Sequence, residues 1–278
     1  MLNLSNSEQL TYATVRIECE YSNGTRGTGT GFFFQFLKNE TTGKHVPVVI
    51  TNKHVVEGAI KGRLIITKAD AEGNPLDTQH FQMYFDNFET FWRKHPDVNV
   101  DLCAMPIAPF LIEAANRGEK LFYISLDKSL IPTKEQLEDL SALEEILMVG
   151  YPNGIWDTIN NKPILRRGIT ATHPNFDYNG TKEIMIDAAC FPGSSGSPVF
   201  IYNEGGYRDK RGNNYLGSSR VILLGVLYAG PQQTVQGDIE VINIPTGQRP
   251  VAISSIPINL GIVIKAERIL ELENLFTS

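Results

Sequence analysis

Apolar and polar residues alternate over much of the chain. Val15, Ile17, Cys19 and Tyr21 alternate with Thr14, Arg16, Glu18 and Glu20, which sets one group on each face of a β-strand. Further runs with strand character cover 31–37, 46–51, 64–67, 81–85 and 102–107, and later 146–150, 168–172, 183–187, 198–202, 221–229 and 260–264. Gly, Pro and Asn fall between them. About a dozen short strands with turn residues at their ends predict an all-β fold built as sandwiches or barrels.

Helical spacing is rarer. Thr133 stands three places before Gln136, with Leu137 and Leu140 following, the pattern of a capped turn or two. Ile269, Leu272 and Phe276 share a face over 265–276, which predicts a short C-terminal helix packed on the second half. The stretch 108–143 has no strand rhythm and reads as the link between two β-rich halves. Residues 205–219, rich in Gly, Asn and charge, read as an exposed hairpin end. The aromatic residues between Phe81 and Trp92 are expected in the core of the first half.

Composition narrows the function classes. With 42% apolar and 20% charged residues, the chain can bury a core and is not a disordered segment. A net charge of −6, with basic pairs only at Arg166-Arg167 and Lys210-Arg211, argues against a nucleic-acid partner. The N-terminal residues have neither a basic nor an apolar segment of the secretory kind. No apolar run reaches the roughly 18 residues of a membrane span, so no membrane partner is expected. Cys19, Cys103 and Cys190 are odd in number and far apart, which predicts free thiols and a cytoplasmic protein. No Cys/His spacing suits a metal.

One set of residues carries chemistry. Ser195 lies in Phe-Pro-Gly-Ser-Ser-Gly-Ser-Pro-Val-Phe, residues 191–200. Glycines around a serine allow a tight turn that exposes its hydroxyl and turns backbone N–H groups toward a developing oxyanion. Gly193 and Ser195 would supply those N–H groups. His54 follows the apolar run Val48-Val49-Ile50-Thr51, and Asp101 opens another, Leu102-Cys103-Ala104. The chain order His, Asp, Ser separates this arrangement from those of subtilisins and α/β-hydrolases. The glycine-rich run 27–31 lacks a following Lys-Ser/Thr and leads into a strand, so it is read as a β-turn and not a phosphate loop.

Ile-Thr-Asn-Lys-His-Val-Val, residues 50–56, resembles the histidine motif of trypsin-like peptidases, and Asp101-Leu102 their aspartate motif. Ile186-Asp187-Ala188-Ala189 leading to Pro192–Pro198 resembles the serine motif of the HtrA/Deg branch. Gly29-Thr30-Gly31-Phe32 and Val149-Gly150-Tyr151-Pro152-Asn153-Gly154 are similar to turns of that branch. The resemblance implies a chymotrypsin-like fold of two six-stranded antiparallel β-barrels in a single peptidase unit, 1–278. Residues 1–110 would form the first barrel with His54 and Asp101, 111–143 the link, and 144–278 the second barrel with Ser195 and the C-terminal helix. It further implies a serine endopeptidase that needs no cofactor and acts on a protein or peptide substrate through an acyl-enzyme.

Ala189 would then lie at the floor of the primary pocket, with Cys190 and the strand Leu227-Tyr228-Ala229 lining it. An Ala in place of an acid disfavours Lys or Arg before the cut and suits an apolar residue. Cys103 and Cys190 are expected as small buried thiols. Secreted members of the family carry Asp before the nucleophile, to pair with a newly cut N-terminal amine. Ser194 stands there instead, so control by loop ordering or an activating protein partner is expected. A catalytically silent peptide-binding module on the same fold remains the alternative.

Overall fold

The computed structural model describes residues 4–238 and 251–277. The first half holds strands β1 (Thr14–Tyr21), β2 (Arg26–Phe36), β3 (Val46–Thr51), β4 (Ala59–Ala69), β5 (Pro75–Asp86), β6 (Arg93–Lys94), β7 (Cys103–Pro106) and β8 (Leu121–Phe122). They form one antiparallel sheet in the order β5-β4-β1-β2-β3-β7-β6, with β8 on β4. β6 and β8 have two residues each, so six strands carry the sheet.

The second half holds β9 (Glu145–Gly150), β10 (Ile164–Thr170), β11 (Glu183–Asp187), β12 (Pro198–Asn203), β13 (Gly206–Arg208), β14 (Asn214–Leu216), β15 (Arg220–Ala229), β16 (Gln232–Asp238), β17 (Val251–Pro257) and β18 (Leu260–Lys265). Six of these close into a barrel in the order β10-β11-β18-β15-β12-β9. β13 and β14 form the hairpin expected within 205–219, and β16 pairs with β17. The helices are α1 (Asn6–Tyr12), α2 (Lys53–Val56), α3 (Ala108–Asn116), α4 (Lys134–Glu138) and α5 (Glu267–Leu270).

Three apolar clusters organise the molecule. Val15, Ile17, Phe33, Val49, Leu64, Met83 and Met105 meet in one of them. They come from all six main strands of the first half, so that sheet wraps around its own contents. Phe85, Phe88 and Trp92 complete this cluster, whereas Tyr84 is exposed. A second cluster, with Met148, Ile186, Val199, Leu224 and Val263, fills the closed barrel. The third lies between the halves and joins Phe32, Phe34 and Phe36 of β2 to Leu147, Val149, Phe200 and Val226. Each fully buried aromatic or aliphatic side chain of this kind contributes about 1.5–3 kcal/mol.

β2 is therefore covered on both faces, and its sequence reflects that. Gly29 and Gly31 face the first cluster so closely that a Cβ on either would lie under 3 Å from a methyl of Val55 or Val49. Thr30, Phe32, Phe34 and Phe36 face the other way, toward the second half.

The C-terminal helix departs from its expected partner. Ile269, Leu272 and Phe276 enter the cluster between the halves, and Phe276 stacks on Phe36 with ring centroids 5.5 Å apart. Arg268 pairs with Asp97 at 2.7 Å, and Glu273 accepts from the Leu37 amide at 2.6 Å. The apolar face found in the sequence is right, but its docking surface includes the first half. Spacing identifies a face and not the surface that covers it. The link also contains α3, which begins at Ala108 with Pro109 in its first turn and has no side-chain cap.

Candidate active site

Antiparallel pairing of β3 with β7 sets Thr51 opposite Cys103. The end of one strand thus lies beside the start of the other, and the residues just beyond, His54 and Asp101, become neighbours. Asn52 opens α2 and its side-chain amide donates to the Asp101 carbonyl at 2.7 Å. Asp101 Oδ2 accepts from His54 Nδ1 at 2.5 Å, and Oδ1 accepts from the His54 backbone amide at 3.1 Å. Burial acts to raise the Asp101 carboxyl, but the hydrogen bonds and charge of His54 outweigh it and hold the group below the usual carboxylate range. The carboxylate can only accept, so Nδ1 carries a proton, and in the neutral ring Nε2 is the nitrogen left as acceptor. The His54 side chain is 46% exposed and the Asp101 side chain 21%, as suits a base at the mouth of a cleft and an acid behind it.

Ser195 lies in the turn between β11 and β12. Gly196 N–H donates to Leu227 O at 2.8 Å and Leu227 N–H to Ser197 O at 3.0 Å, which fastens the turn to β15. The Ser195 hydroxyl donates to Tyr228 O at 3.5 Å. Across the cleft, Thr30 N–H of the first half donates to Ser195 O at 2.9 Å. Ser194 is buried and its hydroxyl accepts from Phe191 N–H at 3.4 Å, so this residue braces its own loop.

The residues on either side of Ser194 are held in distinct ways. Gly193 has φ +85°, and a Cβ there would lie 2.7 Å from Tyr151 O, so only glycine fits. Pro192 O accepts from Asn153 N–H at 2.5 Å and is held out of the cleft. Among the described residues, nothing accepts from the N–H groups of Gly193 and Ser195. Free backbone donors on either side of Ser194 are the kind of group that can stabilise an oxyanion. Asn153 and Gly154 reach this position with φ of +50° and +67°, a left-handed turn whose Asn-Gly signal is visible in the sequence.

A cavity of about 190 Å³ adjoins Ser195, lined by Cys190, Phe191, Pro192, Leu227, Tyr228, Ala229, Gly230 and Pro231. Cys190, Leu227, Tyr228 and Ala229 are thus brought together beside Ser195. Ala189 does not line it. Its carbonyl accepts from Arg166 Nη1 of β10 at 2.8 Å. Phe191, Pro192, Gly230 and Pro231 escaped sequence reasoning because nothing in their local pattern marks a pocket wall. Tyr228 donates its hydroxyl to Glu183 at 2.8 Å, so the polar end of that side chain is already satisfied. The Cys190 thiol is pushed up to about 11 by burial and is not poised as a nucleophile.

The model of the trypsin-like peptidase domain matches residues 29–206, a span that contains His54, Asp101 and Ser195. The chain belongs to this peptidase family. Among solved structures, the Rv3671c protease of M. tuberculosis in its active form is similar at 15% identity, over 94% of this chain and 78% of that one, with a TM-score of 0.44. The HtrA-type protease AlgW, solved with a tripeptide, is similar at 15% identity over 96% of this chain and 60% of its own, with a TM-score of 0.45. The protease of tobacco etch virus complexed with product is similar at 12% identity over 83% and 73%, with a TM-score of 0.46. No curated protein matches. No helix among the described residues is long and apolar enough to cross a membrane.

Proposed function

We propose that this peptidase is a serine endopeptidase in which His54, Asp101 and Ser195 form the catalytic triad. The observation that carries the reading is the two-point hold of Asp101 on His54, through the ring at 2.5 Å and the backbone amide at 3.1 Å. That hold fixes the tautomer whose Nε2 can remove a proton.

Nε2 of His54 takes the Ser195 proton as Oγ attacks the scissile carbonyl carbon. The carbonyl electron pair moves to oxygen, which Gly193 and Ser195 N–H groups stabilise. Collapse of the tetrahedral intermediate breaks the C–N bond, and His54 returns the proton to the leaving amine. Water then repeats the sequence on the ester and releases the acid. Before substrate arrives, the Ser195 hydroxyl bonds to Tyr228 O. A substrate strand pairing with residues 227–229 would bring its own N–H to that carbonyl and free the hydroxyl to turn toward His54. No step calls for a metal or organic cofactor.

The lining of the cavity supports an apolar residue of small or medium size before the cut, since Cys190, Leu227 and Ala229 offer no charge. A peptide-library profile dominated by Lys, Arg or Glu would overturn that preference. Ser194 in place of an acid supports control by loop ordering or a protein partner, and three unpaired buried thiols fit a reducing, cytoplasmic setting. The overall reading is tested by intact mass after exposure to a fluorophosphonate. Wild type should gain one adduct, with the Ser195 Oγ–P bond formed and fluoride lost, and Ser195→Ala should gain none. Peptide binding without an adduct would favour a silent binding module.

A further inference from the structure

One buried side chain of the first half holds the Ser195 loop from outside. Thr30 on β2 is fully buried. Its hydroxyl accepts from Tyr151 N–H at 3.0 Å and stands 3.0 Å from Gly193 O. A hydroxyl has a single proton, and the Tyr151 amide supplies a proton of its own, so the Thr30 proton is directed at Gly193 O. The Thr30 amide donates to Ser195 O at 2.9 Å, and its carbonyl accepts from Thr51 Oγ1 at 2.7 Å. Thr51 ends the strand that leads into His54.

Thr30 therefore grips the loop on either side of Ser194, with its side chain on Gly193 and its main chain on Ser195. These are the two residues whose amides find no acceptor among the described residues. Gly193 depends on the grip most, because a glycine at φ +85° has no side chain to hold it. Asn153 fixes the peptide plane before Gly193 through Pro192 O, and Thr30 fixes the plane after it through Gly193 O. With both planes held, the direction of the Gly193 N–H is set.

The geometry points to Thr30 as a positioning residue of the oxyanion site, tying the half that carries the base to the loop that carries the nucleophile; this rests on the serine-peptidase reading of Ser195. Thr30→Val keeps the shape of the side chain and removes both hydroxyl bonds. Thr30→Ser keeps the hydroxyl.

The experiment compares wild type, Thr30→Ser and Thr30→Val. It measures ester hydrolysis, affinity for a tetra-alanine boronate that forms a tetrahedral adduct, and affinity for the matching product peptide. In Thr30→Val, kcat should fall roughly ten- to a hundredfold at unchanged KM, part of the loss seen when an oxyanion donor is removed. Boronate affinity should fall by the same factor while product affinity holds. Thr30→Ser should stay within about threefold of wild type. Unchanged kcat in Thr30→Val, equal loss of boronate and product affinity, or equal damage in both variants would overturn the proposal. A fluorophosphonate adduct on wild-type Ser195 separates these outcomes from failure of the underlying reading. Without that adduct, both fall together.

Discussion

Asn153 donates its backbone N–H to Pro192 O at 2.5 Å, and it does so from a left-handed conformation with φ +50°. The turn of residues 151–154 thus decides where the carbonyl ahead of Gly193 points. A β-branched residue in this conformation costs about 1–2 kcal/mol. Asn153→Val is expected to lower kcat by roughly tenfold or more with little change in KM, as the oxyanion donors lose alignment. Asn153→Gly, which accepts positive φ freely, should remain near wild type. Ester hydrolysis by the two variants checks this, and equal activity would show that the turn does not set the donors.

Asp101 accepts from both His54 Nδ1 and the His54 backbone amide, a hold that favours one tautomer. Asp101→Asn should leave the fold in place and drop kcat by about 10⁴, the scale found when the same group is changed in a serine-protease triad. The measurement is kcat for an activated ester alongside the far-ultraviolet spectrum. A loss under tenfold would mean that the carboxylate does not orient the base.

Asp127 predicts a pH dependence of stability. It accepts from Gln35 at 3.0 Å, from Lys38 at 3.3 Å and from the Ser129 amide at 2.9 Å. Burial works to raise the carboxyl, but the bonds from Ser129, Gln35 and Lys38 prevail and bring it from 3.8 to about 2. The folded value is the lower one, so its stabilisation is present above the unfolded pKa and is lost as pH falls from about 4 toward 2. Urea midpoints across that range should fall more steeply for wild type than for Asp127→Asn. Parallel curves would remove Asp127 from the account.

All three cysteines are buried, and burial pushes Cys19 up to about 12 and Cys190 up to about 11. The folded protein should therefore resist iodoacetamide at pH 7.5 and take up three equivalents once denatured. Rapid labelling of Cys190 in the folded state would show that the cavity beside Ser195 opens far enough to admit the reagent.

The strands were legible because their two faces meet different surroundings. Val15, Ile17 and Cys19 enter a core while Glu18 and Glu20 point outward. The pairing of His54 with Asp101 was legible through the motifs around them. What stayed hidden depended on contacts between distant parts of the chain. Thr30 stands in a motif noted in the sequence, but its bonds to Tyr151 and Gly193 cross from one half to the other. The bond from Arg166 to the Ala189 carbonyl likewise joins residues 23 positions apart. α1 had a readable signal, since Ser5 and Glu8 form a capping box. α3 had none, and its apolar residues did not stand out against a β-rich background.

The docking of residues 267–276 bears on how the molecule comes into being. Arg268 reaches Asp97 and Phe276 stacks on Phe36, so the strand that carries Thr30 and the loop that leads to Asp101 are both finished by residues made far later on the ribosome. Contacts of such long sequence separation form slowly, because a large loop must close before they give any return. A nascent chain that has already emerged past Ser195 still lacks the residues that cover Phe36 and pair with Asp97. The first half would then reach its final packing only after the second half had been made.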